Sequence, residues 1–405
     1  MTAGLIVSIM GTRLIEGGSD GSVALGVLPL IWVAALTTFG ELLSFASPLM
    51  ARWAGRYSPA KVLVWSDFAE AMLSAAALLL ILVLPESTVP VLVVYLLAAA
   101  IFPALTDVVE EFYGQQLAQA DVDQAMTFNA TIYSVLAFVG IVLAMPLGSL
   151  VAGLSIALLI ALNAVLSLGG TAFRLVSART VVTPPVSEQD IDDFGGLGER
   201  MRLRDFVRDL FATGPASPVV GLVTQIGATA AGIFVYLWIA SRMPLDPAAG
   251  LALVIASFGL GATAGPWIGQ RLHKRIPLTR ALESVYTVTI AGLILLAVTL
   301  PILPDPAAWL VGLLFALGIG IASRARGVLT VTLRQQDFRG ERFSRVMSWS
   351  FALTALGAII GSWLGVALRI DQHPSIGLGL LAAALVFGLV TTRRYTPGPV
   401  HTQRG

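Results

Sequence analysis

Twelve mostly apolar stretches recur along the chain, and they constrain its fold more than any other feature. A helix rises about 1.5 Å per residue, so about 20 residues carry it across a hydrocarbon layer of about 30 Å. The stretches fall at 3–16 (short), 23–46, 62–84, 89–109, 128–151, 154–175, 219–240, 248–268, 281–300, 308–323, 346–368 and 376–390. The expected fold is an all-α membrane protein of twelve transmembrane helices, arranged as two pseudo-symmetric six-helix bundles. The first stretch is too short and polar for a cleavable signal and has no basic residues ahead of it. It is read as a spanning helix whose natural start can lie upstream of Met1.

Composition narrows the function classes. Hydrophobic residues at 56% against 12% charged, with a mean hydropathy of +0.84, do not describe a soluble surface. The chain has no cysteine, and its three histidines, His273, His373 and His401, are scattered. No metal site, cofactor or enzyme chemistry is therefore expected. A net charge of +1 provides no basic excess for nucleic acid. No phosphate-binding GxxxxGK[ST] loop is present, so the sequence does not support direct use of ATP.

The expected organisation is a bundle over 1–176, a linker over 177–218, a second bundle over 219–392 and a tail over 393–405. In the linker Arg200, Arg202, Arg204 and Arg208 interleave with Met201, Leu203, Phe206 and Leu210, the pattern of an amphipathic surface helix. Arg52, Arg56, Lys61, Arg271, Lys274, Arg275, Arg280, Arg393 and Arg394 share the linker's side, which places both termini in the cytoplasm. Matching positions recur at an offset near 220: residues 51–59 lie over 269–277, and Gln115-Gln116 over Gln335-Gln336.

The stretch from Pro48 to Asp67 resembles the loop signature of the major facilitator superfamily, roughly G-x-x-x-D-R-x-G-R-R, in a degraded form: Ala51 and Gly55 replace its Gly and Asp, while Arg56 keeps the Arg. The segments 102–129 and 338–347 resemble the branch containing enterobactin exporters and mycobacterial multidrug efflux proteins. The resemblance implies two bundles rocking about a central cavity. It further implies a multi-pass protein of the bacterial plasma membrane, a monomer among lipid, moving a small-molecule substrate and protons.

Ionisable side chains within spans are costly and mark candidate sites. Glu41 sits alone in an apolar stretch, where a carboxyl group exchanges its charge for a proton most readily; it is read as a proton carrier or as a bond to a neighbouring helix. Glu70 and Asp67, one turn apart, join it as candidate proton-coupling residues, with Asp67 also in reach of Arg52 or Arg56 as a structural pair. Arg13 and Glu16, spaced i to i+3, are either a local ion pair or cavity residues. Trp32, Tyr133 and Tyr236 are candidate cavity aromatics, though helix packing is the commoner role. Asp107 and Glu110 face Arg324 and Arg326 across the repeat, which suggests a cytoplasmic gate completed by Arg52 and Arg56. The function expected is proton-coupled export of an amphipathic drug, siderophore or natural product. Import, lipid translocation and a non-transporting accessory role are the alternatives.

Overall fold

The computed structural model describes residues 2–45, 50, 53, 57–106, 109, 137–180, 210, 214–337 and 340–395. Among them lie α1 (Thr2–Ala24), α2 (Ile31–Phe45), α3 (Pro59–Val83) and α4 (Thr88–Ala99). A π-helical stretch, Ala137–Ala144, runs into Met145–Leu154 to form α5, followed by α6 (Ile156–Thr180). The second half holds α7 (Pro218–Ser241), α8 (Pro247–Arg275), α9 (Leu278–Thr299), α10 (Asp305–Asp337), α11 (Gly340–Ala367) and α12 (Pro374–Arg394). Among the described residues, ten helical segments are long and apolar enough to cross a membrane, and α2 carries a shorter apolar stretch, Ile31–Leu43.

Helix starts follow local chemistry. Proline opens α3, α7, α8 and α12, where its missing N–H costs nothing. The Ser217 hydroxyl accepts from the Val220 N–H at 3.2 Å, and the Asp246 carboxylate accepts from the Ala248 N–H at 3.0 Å, capping α7 and α8.

Several boundaries differ from hydropathy. α1 continues eight residues past Glu16, because Ser19 and Asp20 are tolerated in a helix that an apolar window rejects. The second stretch, expected from residue 23, begins instead at Ile31, after a turn in which Gly26 adopts φ 72°. α10 runs on to Asp337, well beyond the apolar window that ends at 323.

Each half has its own core. In the first, Leu14, Ile15, Leu92, Tyr95, Leu159 and Ile160 gather from α1, α4 and α6. In the second, Phe234, Trp238, Leu282, Tyr286, Leu329 and Leu378 do the same from α7, α9, α10 and α12. Apolar side chains on the outer helices face outward: Leu82 is 64% exposed, Val165 65% and Val288 74%. Such a surface suits lipid and not water.

Glycines set the closest helix approaches, and the two halves repeat them. A Cβ on Gly148 of α5 would strike the Leu14 carbonyl of α1; one on Gly361 of α11 would lie 2.5 Å from the Ile226 carbonyl of α7. In α6, Gly170 seats Asp67, its ideal Cβ 2.7 Å from the carboxylate; in α12, Gly388 seats Tyr286 at 2.7 Å from the ring. These seats are 218 residues apart and their occupants 219, matching the repeat offset.

The halves meet toward the ends of the bundles remote from the linker. Ser149 of α5 donates to the Ala248 carbonyl of α8 at 2.8 Å, and the Trp363 indole of α11 donates to Thr38 of α2 at 2.9 Å. Ala24, Ile141 and Met145 pack against Tyr236, Leu237, Ala240, Leu251 and Ile255 as an apolar seal.

Candidate functional site

The first half contains a polar inlay between α1, α3, α4 and α6. Asp67 and Arg174 form an ion pair at 3.0 Å, each side chain 1% exposed. The Ser8 hydroxyl donates to the other Asp67 oxygen at 3.0 Å. One turn along α3, buried Glu70 accepts from the Asn163 amide at 3.2 Å. The same amide nitrogen lies 3.1 Å from the Ser74 hydroxyl and 2.8 Å from the Tyr95 hydroxyl, which are themselves 3.1 Å apart. An amide nitrogen has two hydrogens, and here it faces three oxygens. The bonds must therefore be shared among Glu70, Ser74 and Tyr95. Burial makes that sharing costly to disturb, because a lost partner leaves a group desolvated and unpaired.

Between the halves, Arg13 of α1 pairs with Glu16 and lies along Gly140, whose Cβ would stand 3.0 Å from its Cγ. Arg324 of α10 belongs to the other half, is exposed, and lies within electrostatic reach of Arg13. Cations from both halves thus approach one another.

A family model described as the Major Facilitator Superfamily matches residues 4–362. The chain belongs to that superfamily. It is a multi-pass membrane transporter of this type. No curated protein sequence matches the chain. Solved structures that resemble this superfamily member include a bacterial homologue of the iron transporter ferroportin in an inward-facing state, at 14% identity and TM-score 0.67, covering 97% of each chain. The nucleoside transporter NupG aligns at 14% identity and TM-score 0.63, covering 98% of this chain and 100% of its own. The peptide transporter POT in complex with sulfate aligns at 15% identity and TM-score 0.66, covering 96% and 92%. At these identities the likeness is one of fold.

The superfamily fold brings some of the expected residues together. Asp67 and Glu70 join the inlay, with Arg174 as the partner of Asp67; Arg52 and Arg56 lie outside the described residues, as do Asp107, Glu110 and Tyr133. Glu41 is half-buried on α2, one turn from Thr38 and so on the side that meets α11, with no polar partner among the described residues. Trp32 packs on the first half's core. Tyr236 joins the seal and also lines a cavity inside the second half, together with Arg326. Among the described residues no group of three or more His, Asp or Glu side chains is placed to hold a metal.

The inlay's other members, Ser8, Ser74, Tyr95, Asn163 and Arg174, escaped the sequence reading. A signal for them exists. Asn163, Ser167, Gly170 and Arg174 recur at spacings of four, three and four along α6, and Asp67, Glu70 and Ser74 at three and four along α3, so each set lies on one helix face.

Proposed function

We propose that this protein exports an amphipathic small molecule in exchange for protons by alternating access, as a monomer in a bacterial plasma membrane with both termini in the cytoplasm. The observation that carries the proton-coupled reading is Glu70, a buried acid whose hydrogen-bond partner is contested by two neighbouring hydroxyls. Protonation of Glu70 weakens its hold on the Asn163 amide, whose hydrogens then favour Ser74 and Tyr95, and deprotonation strengthens it again. That switch couples α3, α4 and α6 to the proton without moving any of them far. Asp67 holds Arg174 beside it and supplies a second acid. Glu41 is the third proton-coupling candidate, on the side where the halves meet.

Alternating access is supported by the placement of contacts, since the apolar cluster joins the halves at one end and Arg13, Glu16 and Arg324 put charged groups from both halves near one another. In the reverse state Asp107 or Glu110 would meet Arg324 or Arg326 as a latch. A buried pair of this kind serves as a two-state element more than as net stability. The gathering of Lys and Arg on the linker side supports the cytoplasmic placement of that side and of the termini. The likeness of 102–129 and 338–347 to efflux proteins supports the outward direction.

Proteoliposomes holding a pH-sensitive dye test the reading. A panel of cationic, neutral and anionic amphipathic dyes is added under an imposed pH gradient. Dye-evoked proton flux in the wild type and none in Glu70→Gln is the expected result. Uptake that ignores the gradient refutes coupling, and no uptake of any dye favours the accessory role.

A further inference from the structure

The second half encloses a cavity of about 210 Å³ between α7, α8, α9, α10 and α12. Its walls are apolar over most of their length, with Val235, Phe258, Phe315 and Leu381 among them. One guanidinium faces this space. Arg326 lies in the span Asp305–Leu333, half-buried and 5.9 Å from the Tyr286 ring centre. Among the described residues it has no carboxylate partner. A charge inside a span needs a partner, water or a ligand, and the two planar edges of a guanidinium suit a carboxylate.

Along α10, Arg326 and Phe315 are eleven residues apart, or about 16 Å of helix rise. The pocket therefore has a cationic end and an apolar end. Its volume exceeds the ~150 Å³ apolar cavity that admits benzene and falls short of the ~300–1,000 Å³ of drug-sized sites. It suits one ring or one short alkyl chain, and it is too small for a two-chain lipid. Gly232 holds the space open: a Cβ there would meet nothing within 4 Å, and the residue lines the pocket.

We propose that this cavity binds a single-chain amphiphilic anion, with its acidic head on Arg326 and its apolar part against Tyr236, Phe258 and Phe315. A cation of the same shape is repelled by Arg326, and a neutral analogue leaves the guanidinium unpaired. Tyr236 also packs in the seal between the halves, so the apolar end of the ligand rests on a residue that opening of that end would release. The ligand's role as cargo rests on the transport reading above; its binding does not.

Equilibrium dialysis of the full chain in phosphatidylcholine nanodiscs, against empty discs, measures binding of octanoate, octanol and octylammonium. Octanoate binds about tenfold or more tighter than octanol, and octylammonium does not bind. Arg326→Gln brings octanoate down to the level of octanol and leaves octanol unchanged; Arg326→Lys restores part of the difference. Gly232→Leu, or Ala228→Leu should that variant not fold, removes both. Equal affinities for octanoate and octanol, or octanoate binding that survives Arg326→Gln and the cavity-filling variants, overturn the proposal. So does phosphatidylglycerol in the discs displacing octanoate through Arg326, which assigns the guanidinium to a lipid headgroup. Octanoate bound in this manner but unable to evoke proton flux upholds the site and sinks proton coupling for this cargo.

Discussion

Arg174 of α6 reaches Asp67 of α3 at 3.0 Å, and both side chains are almost wholly sealed from the surface. Breaking such a pair strands one buried charge, at a cost of about 3–5 kcal/mol, whereas replacing both partners by apolar side chains is often neutral. Arg174→Met should therefore lower the thermal midpoint in detergent strongly. The double variant Asp67→Leu with Arg174→Met should recover most of the loss, and a double variant as unstable as the single would show that the pair is not the cause.

Glu70→Gln keeps the shape and the carbonyl that accepts from Asn163, but it cannot release a proton. Its thermal midpoint should stay close to wild type while proton-driven accumulation disappears and exchange of cargo for cargo remains. Asn163→Leu is the structural control. It leaves Glu70, Ser74 and Tyr95 short of a donor at about 1–3 kcal/mol per unsatisfied group, and it should destabilise the chain.

Glycine substitutions should separate by what their Cβ would meet. Gly148→Ala drives a methyl into the Leu14 backbone and should cost about 1–3 kcal/mol, read as a lower thermal midpoint. Gly292→Ala, inside α9 with nothing within 4 Å, should gain about 0.5–1 kcal/mol from reduced backbone freedom. Equal shifts in the two variants would contradict this packing.

The chain has no cysteine, so an introduced pair has no competitor. The ideal Cβ of Gly153 in α5 lies 3.4 Å from the Ala248 Cβ in α8, close to the roughly 3.5–4.5 Å of disulfides. Gly153→Cys with Ala248→Cys should cross-link under oxidation and stop transport, and reduction should restore it. Full transport by the oxidised, cross-linked protein would mean that this end need not open.

The sequence made the scaffold legible because hydrophobic length is set by bilayer thickness, a constraint every span must meet. Helix ends were harder to place: α1 and α10 continue through residues such as Asp20 and Gln335 that suit a helix but not lipid. Asp67 and Glu70 stood out as acids in an apolar run. Their partners did not, because Asn163 and Arg174 lie on α6, far along the chain, and only the folded crossing at Gly170 brings them near. Arg326 was visible as a charge. The void beside it was not, since a space between five helices leaves no mark on any one of them.

The glycine seats of α6 and α12 hold an acid in one half and a phenol ring in the other. A duplicated architecture has thereby been furnished unequally: at that crossing one half seats a carboxylate paired with Arg174, the other a phenol ring.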